Sequence, residues 1–530
     1  MKGYLSLVLH AHLPFVRHPE HEDFLEEDWL YEAISETYLP LLLLFDRLAN
    51  EGIRYRITMT LTPTLVSMLR DELLMKRYAR RLDRLCELSE KEVRRTEKDA
   101  SFAPVTRFYR EHLGTLRSAF HDRYRGDLVA GFRRLQDAGL VEVVTSAATH
   151  GFLPLMQAVP EAVRAQLTVA AAHYRLNFGR DPRGIWLPEC GYYPGLERFV
   201  AQESIRYFFL DTHGVTEATP RPIYGVYAPI FTEGGVAAFG RDPESSHQVW
   251  SAQLGYPGDP VYREFYRDIG WDLELDYVRP YIQPTGERKN TGFKYYRITG
   301  KTDQKDPYDP VAARERAQAH AANFLFNRER QIEYLASRMG ERPPIVVAPY
   351  DAELYGHWWF EGPWFLEALI RHAAAANGPV ELATPSDYLE KVPDNQVATP
   401  QMSSWGEQGY AATWLSPNND WIYPHLLGCA VRMVELARDY PGADALPWRA
   451  LNQAARELLL AQSSDWAFII RSGTMVDYAV RRTRDHVERF NALHDQIRSG
   501  KIDEKWLSDL EARDNLFPEI DYRVYRPVPA

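Results

Sequence analysis

An α/β fold organised as a parallel sheet or barrel, carrying a helical insertion and a C-terminal helical domain, is what this sequence predicts. Three observations lead there. Short apolar, β-rich runs alternate with helical stretches, a helix-rich block interrupts the alternation after the second run, and from about Trp421 the pattern turns wholly helical. At 530 residues the chain exceeds the size at which one core keeps growing, so a large catalytic body with an appended domain is expected. We set the boundary at 1–400 for the catalytic part, interrupted at about 65–135 by the insertion, and 401–530 for the helical domain.

The runs that read as strands are Tyr4 to Leu9, Arg54 to Leu61, Val141 to Thr145, Gly184 to Leu187, Arg206 to Asp211, Val236 to Phe239, Ile345 to Ala348 and Val380 to Ala383. Val66 to Arg134 is rich in Arg, Glu, Leu and Lys at helical spacing and forms the insertion, its basic run Lys76 to Arg95 reading as a solvated helix face. Residues 240 to 310 carry Gly, Pro, Tyr and Asp with little periodicity and read as long functional loops. Leu426 to Tyr440, Ala445 to Ser463 and Thr474 to Ser499 are three long helix candidates, expected to pack on the barrel mouth.

Composition narrows the function. A net charge of −11 argues against a nucleic-acid groove or an anionic membrane surface, both of which need clustered Lys and Arg. Three widely spaced cysteines, Cys86, Cys190 and Cys429, suit a reducing compartment. The N-terminus runs straight into a strand without the pattern of a signal peptide, and no apolar run is long enough to span a bilayer, so a cytoplasmic enzyme is expected. Aromatic residues at 13%, with 13 Trp and 31 Tyr, exceed what packing alone requires.

The unusual residues collect where strands end. His10 and His12, His150, Glu189, Asp211 with His213, and Asp351 all stand there, which in α/β barrels is the face that carries chemistry. The segment from Trp186 to Gly195 delivers Glu189 among aromatics and glycines. Ile345 to Asp351 delivers a second carboxylate, followed by Tyr355, Trp358 and Trp359. Two strand-end carboxylates among aromatic rings suit glycosidic chemistry, one as nucleophile and one as proton donor, with sugar rings laid on aromatic faces. Glu353 and Glu361 compete with Asp351 for its role, and Glu353 alternatively orients its neighbour.

His10-Ala11-His12 admits three readings: one buried and one exposed structural histidine, hydrogen bonding to sugar hydroxyls, or the start of an amidohydrolase-type metal site. Trp271, Trp405, Trp414, Trp421 and Trp466 lie in polar, loop-like contexts. A core role is the default for any one of them, but Trp405 and Trp414 within one polar segment read as a stacking platform, to which Asp465-Trp466 adds a contact from the helical domain.

With HAHLP (10–14), ATHGFLPL (148–155), WLPECGYYPG (186–195), APYDAELYGHWWFEGP (348–363) and SSWGEQGY (403–410) in order along nearly the whole chain, the sequence resembles glycoside hydrolase family 57. Within it the resemblance is to the 1,4-alpha-glucan branching enzymes and the related proteins labelled alpha-amylases. It implies an incomplete (β/α)7 barrel with a helical insertion and a C-terminal helical domain, Glu189 as nucleophile and Asp351 as general acid/base of a retaining double displacement. His10, His12 and His150 would bind sugar at the cleavage point, and Trp271, Trp405, Trp414 and Asp465 would line the glucan groove. It implies no metal and no cofactor, an alpha-glucan as partner, and a monomer or weak homo-oligomer. In branching members a loop over the cleft carries a tyrosine that helps exclude water. The corresponding stretch, Ala228 to Asp242, has Phe231 and Phe239 but no tyrosine, Tyr224 and Tyr227 lying just before it, and by that reading transfer is less efficient. The alternatives are an alpha-amylase or 4-alpha-glucanotransferase on the same substrate and, outside the class, a metal-dependent amidohydrolase or a non-catalytic glucan-binding protein.

Overall fold

The computed structural model describes residues 2–251, 255–282, 286–375 and 378–527. One sheet organises them. Its strands are β1 (Gly3–Ala11), β2 (Ile57–Leu61), β3 (Val141–Ser146), β4 (Gly184–Trp186), β5 (Tyr207–Leu210), β6 (Ile230–Phe231), β7 (Ala237–Gly240), β8 (Ile345–Asp351) and β9 (Val380–Leu382). The order is β6-β7-β5-β4-β3-β2-β1-β8, with β9 on β1. Every pairing is parallel except the two-residue edge strand β6 on β7. Seven parallel staves thus curl into an incomplete (β/α)7 barrel. Its seam between β7 and β8 is bridged by Asp242 N–H donating to Val347 O at 2.9 Å. Strand β1 is shared along its length, its first residues pairing with β9 from Gly3↔Val380 and its last with β2 up to Ala11↔Leu61.

β1, β2 and β3 are buried at every position, which is why they read as continuous apolar runs rather than alternating ones. All eight expected strands are present; β6 is an addition, too short to carry a pattern.

The insertion between β2 and β3 comprises helices Pro63–Leu69, Glu72–Arg95, Ala103–Ser118 and Leu128–Asp137. Asp71 and Asp127 cap two of them by accepting from Leu74 N–H and Ala130 N–H. Leu74, Tyr78, Leu82, Leu85 and Leu88 form the buried stripe of the longest. One expectation needs correction here: the basic run is not uniformly solvated. Arg77 is buried and pairs with Glu27 Oε1 at 2.6 Å, and Arg81 pairs with Asp28 Oδ1 at 2.6 Å, because the first turn of the helix Glu27–Ala33 packs against that helix.

The described residues between 241 and 309 are loops punctuated by short helices, Pro243–Trp250, Ile269–Asp272 and Leu275–Val278. The C-terminal region holds the three expected helices, as Ile422–Asp439, Ala445–Ala461 and Val476–Ser499, together with Ser464–Ser472 and Glu504–Arg513. Gly473, at φ 82°, ends the short helix in the left-handed conformation that glycine adopts without strain. This region sits directly on the β3 end of the barrel: Ser464 N–H donates to His150 O at 3.0 Å, and Ser463 bridges Gly151 in antiparallel fashion.

Candidate active site

The carboxyl ends of β1, β3, β4 and β8 converge on one cleft of about 640 Å³. His10 and His12, two residues apart on β1 and its extension, share a face, and both reach it. His10 is buried and stacks on Trp186 of β4 with centroids 4.7 Å apart. Asp351, the last residue of β8, stands opposite His10 in the parallel register.

Glu189 arrives by a different device. After β4, Pro188 turns the chain, and Glu189 (φ 61°) and Cys190 (φ 51°) both take left-handed backbone, as does His150 (φ 57°) on the neighbouring loop. Such conformations cost free energy in non-glycine residues and persist only where surrounding contacts impose them. Here Trp405 N–H donates to Glu189 O at 3.0 Å, and Tyr192 and Ser403 exchange backbone bonds of 2.9 and 3.2 Å.

The two carboxyls have opposite surroundings. Glu189 accepts from Trp405 Nε1–H at 2.8 Å through Oε2 and from the Ser464 hydroxyl at 2.9 Å through Oε1. Burial, with the charge of Asp465, raises its affinity for a proton above the ordinary value, and these two donors reduce that rise without cancelling it. Asp351 accepts no hydrogen bond from any described residue. Burial, followed by the charges of Glu353 and Glu189, pushes it well above the usual carboxylate range. Glu353 Oε1 in turn accepts from His12 N–H at 3.2 Å and from the Tyr38 hydroxyl.

His12 Nε2 lies 3.0 Å from Asp465 Oδ2. Burial opposes its protonation, but Asp465, joined by the charges of Glu189 and Glu353, raises it above the ordinary histidine value, while Asp465 is held down at about 2. His10 and His150, 3.1 Å apart through their Nε2 atoms, are both held neutral, first by burial and then by the charge of neighbouring histidines. Nitrogen and oxygen atoms of His12, His150 and Asp465 lie within 4.8 Å of one another. The His12 and His150 rings, however, stack nearly parallel, 3.8 Å apart at 15°. An imidazole binds a metal in its ring plane, and two parallel planes share no common point, so this set does not suit the amidohydrolase-type ion.

Of the residues singled out in the sequence, Glu189, Asp351, His10, His12, His150, Trp405, Trp414 and Asp465 all line the cleft. Trp414 does so as a buried wall stacked on Phe152 at 4.4 Å. Trp271 is not among the lining residues; it stands 54% exposed on the 240–310 segment, its Nε1–H donating to Asn290 at 2.9 Å. Trp421 and Trp466 also lie outside the cleft lining, and Trp466 is core. Asp211 caps a short helix by accepting from Thr212 N–H, and His213 Nε2 bonds Gly409 O at 2.8 Å. Glu361 is buried against Tyr308 and Arg263, away from the cleft.

The stretch Ala228 to Asp242 is not a loop over the cleft. It forms β6 and β7, joined by a turn in which Thr232 and Val236 bond at 2.9 Å. That turn precedes β7 and so lies at the opposite end of the staves from Glu189 and Asp351. Besides Trp405 and Trp414, the cleft is bordered by Trp250, Trp358 and Phe468. Sequence reasoning missed Ser464, Arg241, Trp250 and Phe468. Only Ser464 left a trace, as the neighbour of Asp465 at a helix start.

The chain matches the profile described as Glycosyl hydrolase family 57 over residues 6–402, and that described as 1,4-alpha-glucan branching enzyme, C-terminal, over 425–525. It is 36% identical to a 1,4-alpha-glucan branching enzyme of Thermococcus kodakarensis, over 98% of this chain and 78% of that protein. Among solved structures it superposes on the GH57-type branching enzyme of Pyrococcus horikoshii at TM-score 0.89 and 34% identity, covering 100% and 98% of the two chains. It also superposes on a protein of Thermotoga maritima described as a novel alpha-amylase, at TM-score 0.94 and 47% identity, covering 100% of both.

Proposed function

The chain belongs to glycosyl hydrolase family 57, and from that premise we propose that it is a 1,4-alpha-glucan branching enzyme with Glu189 as nucleophile and Asp351 as general acid/base. The observation that carries the assignment of roles is the contrast between the two carboxyls in one cleft. Burial raises both, but Glu189, fed by two donors, is held nearer the ordinary carboxylate range and serves as the carboxylate. Asp351, with no donor among the described residues and with Glu353 beside it, is raised well above that range and serves as the acid.

In the first step Glu189 forms a bond to the anomeric carbon of a glucan seated in the cleft, while Asp351 gives its proton to the departing glycosidic oxygen. The reducing-end fragment leaves and a covalent glycosyl-enzyme of inverted configuration remains. In the second, Asp351, now a carboxylate, takes the proton from an acceptor 6-hydroxyl, whose oxygen displaces Glu189 with a second inversion. The result is an alpha-1,6 branch. Asp465, held against His12, supplies acceptor oxygens for the sugar at the reacting centre. The ring nitrogens of His10, His12 and His150 are buried or bonded to one another, Thr62, Asp465 and Ser464, so these rings wall the site, and Trp405 gives the apolar face on which a neighbouring sugar rests. Glycogen-type biosynthesis in the cytoplasm, where Cys86, Cys190 and Cys429 remain free thiols, is the setting that fits.

A second reading, alpha-amylase, is favoured by the 47% identity to the Thermotoga maritima protein. The two differ only in what attacks the glycosyl-enzyme, a sugar hydroxyl or water. Incubation with amylose, following alpha-1,6 anomeric protons by NMR alongside new reducing ends, separates them. We expect alpha-1,6 signal to grow with few reducing ends; reducing ends without alpha-1,6 signal make the enzyme an amylase.

A further inference from the structure

The hydrogen bonds around Glu189 extend beyond its two donors into a chain whose direction can be worked out. Glu189 Oε1, as a carboxylate oxygen, only accepts, so the Ser464 hydroxyl must donate its single proton to it across 2.9 Å. Ser464 Oγ can then only accept from His150 Nδ1, which lies 3.0 Å away. His150 is neutral, so with Nδ1 protonated its Nε2 carries a lone pair, and this accepts from His10 Nε2 at 3.1 Å. His10 is neutral as well, which leaves its Nδ1 bare, and that atom is buried and makes no hydrogen bond. A lone pair without a partner at that end is the outcome the chain of donors requires.

We propose that Ser464 is a positioning residue for the nucleophile, its hydroxyl aimed at Glu189 Oε1 by the neutral His10–His150 pair and its backbone fixed by the bond from Ser464 N–H to His150 O. The inference rests on the reading of Glu189 as nucleophile and deepens it. The helical domain thereby completes the catalytic centre of the barrel: Trp405 holds one oxygen of Glu189, and Ser464, from a helix some 275 residues further along the chain, holds the other. Ser464 is buried and does not line the cleft, so its influence passes through Glu189 and not through contact with glucan.

The test compares wild type, Ser464→Ala, Ser464→Thr and Glu189→Gln in kcat and KM on amylose across pH, with thermal unfolding as the check on folding. Loss of the hydroxyl should lower kcat on the order of 10- to 100-fold with KM within about twofold. It should also move the acid limb of kcat/KM up by about half a unit or more, because a carboxylate that loses a donor binds its proton more tightly. Ser464→Thr, which keeps a hydroxyl, should return both toward wild type. If Ser464→Ala loses cooperative unfolding, Ser464→Cys, close in volume and a weak donor, takes its place with the same direction of shift. An unchanged kcat and acid limb in the hydroxyl-deleted variant, with Glu189→Gln inactive, would overturn the role of Ser464 alone. Wild-type activity in Glu189→Gln would instead overturn the underlying assignment.

Discussion

Trp405 is bonded to Glu189 twice, once from its backbone N–H to the Glu189 carbonyl at 3.0 Å and once from its indole Nε1–H to Oε2 at 2.8 Å. The first bond supports the left-handed backbone that aims Glu189 into the cleft, and the second disfavours protonation of its carboxyl. Trp405→Phe keeps the backbone bond and most of the ring while deleting the indole donor. We expect kcat to fall on the order of tenfold or more and the acid limb of the pH–rate profile to move upward. A pH-rate series on the two proteins checks it, and a lower turnover with an unmoved acid limb would count against the indole's electrostatic role.

Glu353 carries the complementary effect on Asp351. After burial, its negative charge is the largest influence raising Asp351, so Glu353→Gln should lower the pH at which Asp351 gives up its proton. The amide still offers an oxygen to His12 N–H and the Tyr38 hydroxyl. Because Asp351 must be protonated to act as an acid, activity would then be lost at lower pH, and the basic limb shifts down while the acid limb stays. A basic limb that stays in place or moves up would contradict this.

Closure of the barrel seam depends on a buried ion pair. Arg328 and Asp242 are both fully buried, 3.1 Å apart, and Asp242 also caps the helix Pro243–Trp250 and bridges to β8. Removing one partner strands the other charge in the interior. Arg328→Met should cost about 3–5 kcal/mol of stability, read as a fall in the denaturant midpoint at constant slope.

Two exposed tryptophans separate near from distant contacts with glucan. Trp358 borders the cleft, stacked on Phe265 at 4.6 Å, whereas Trp271 stands outside its lining. Each lost platform is worth about 1 kcal/mol, roughly fivefold in KM. Trp358→Ala should raise KM for short maltooligosaccharides and amylose alike, and Trp271→Ala for amylose only. Equal effects of Trp271→Ala on both substrates would place that ring nearer the reacting centre.

What was legible in the sequence follows from where information is local. Buried parallel strands announce themselves as apolar runs, so all eight were found, and strand-end acids and histidines were then placed by the barrel's own geometry. Ser464 was not legible because the partners of its hydroxyl and its backbone N–H, Glu189 and His150, lie far earlier in the chain. Arg77 looked solvated because a basic helical run gives no sign of Glu27 packing over it. The segment 228–242 was misplaced because β6, two residues long, carries no periodicity, and a turn at the far end of a hairpin cannot be told by composition from a lid over the cleft.

The central claim is that Glu189 becomes covalently joined to sugar. Treating the protein with 5-fluoro-alpha-glucosyl fluoride, whose glycosyl-enzyme turns over slowly, followed by proteolysis and peptide mass spectrometry, tests it most directly. The account predicts a single added fluorohexosyl mass on the peptide carrying Glu189, absent from Glu189→Gln. Labelling of Asp351 instead, or activity on glucan with no covalent adduct at all, would contradict it.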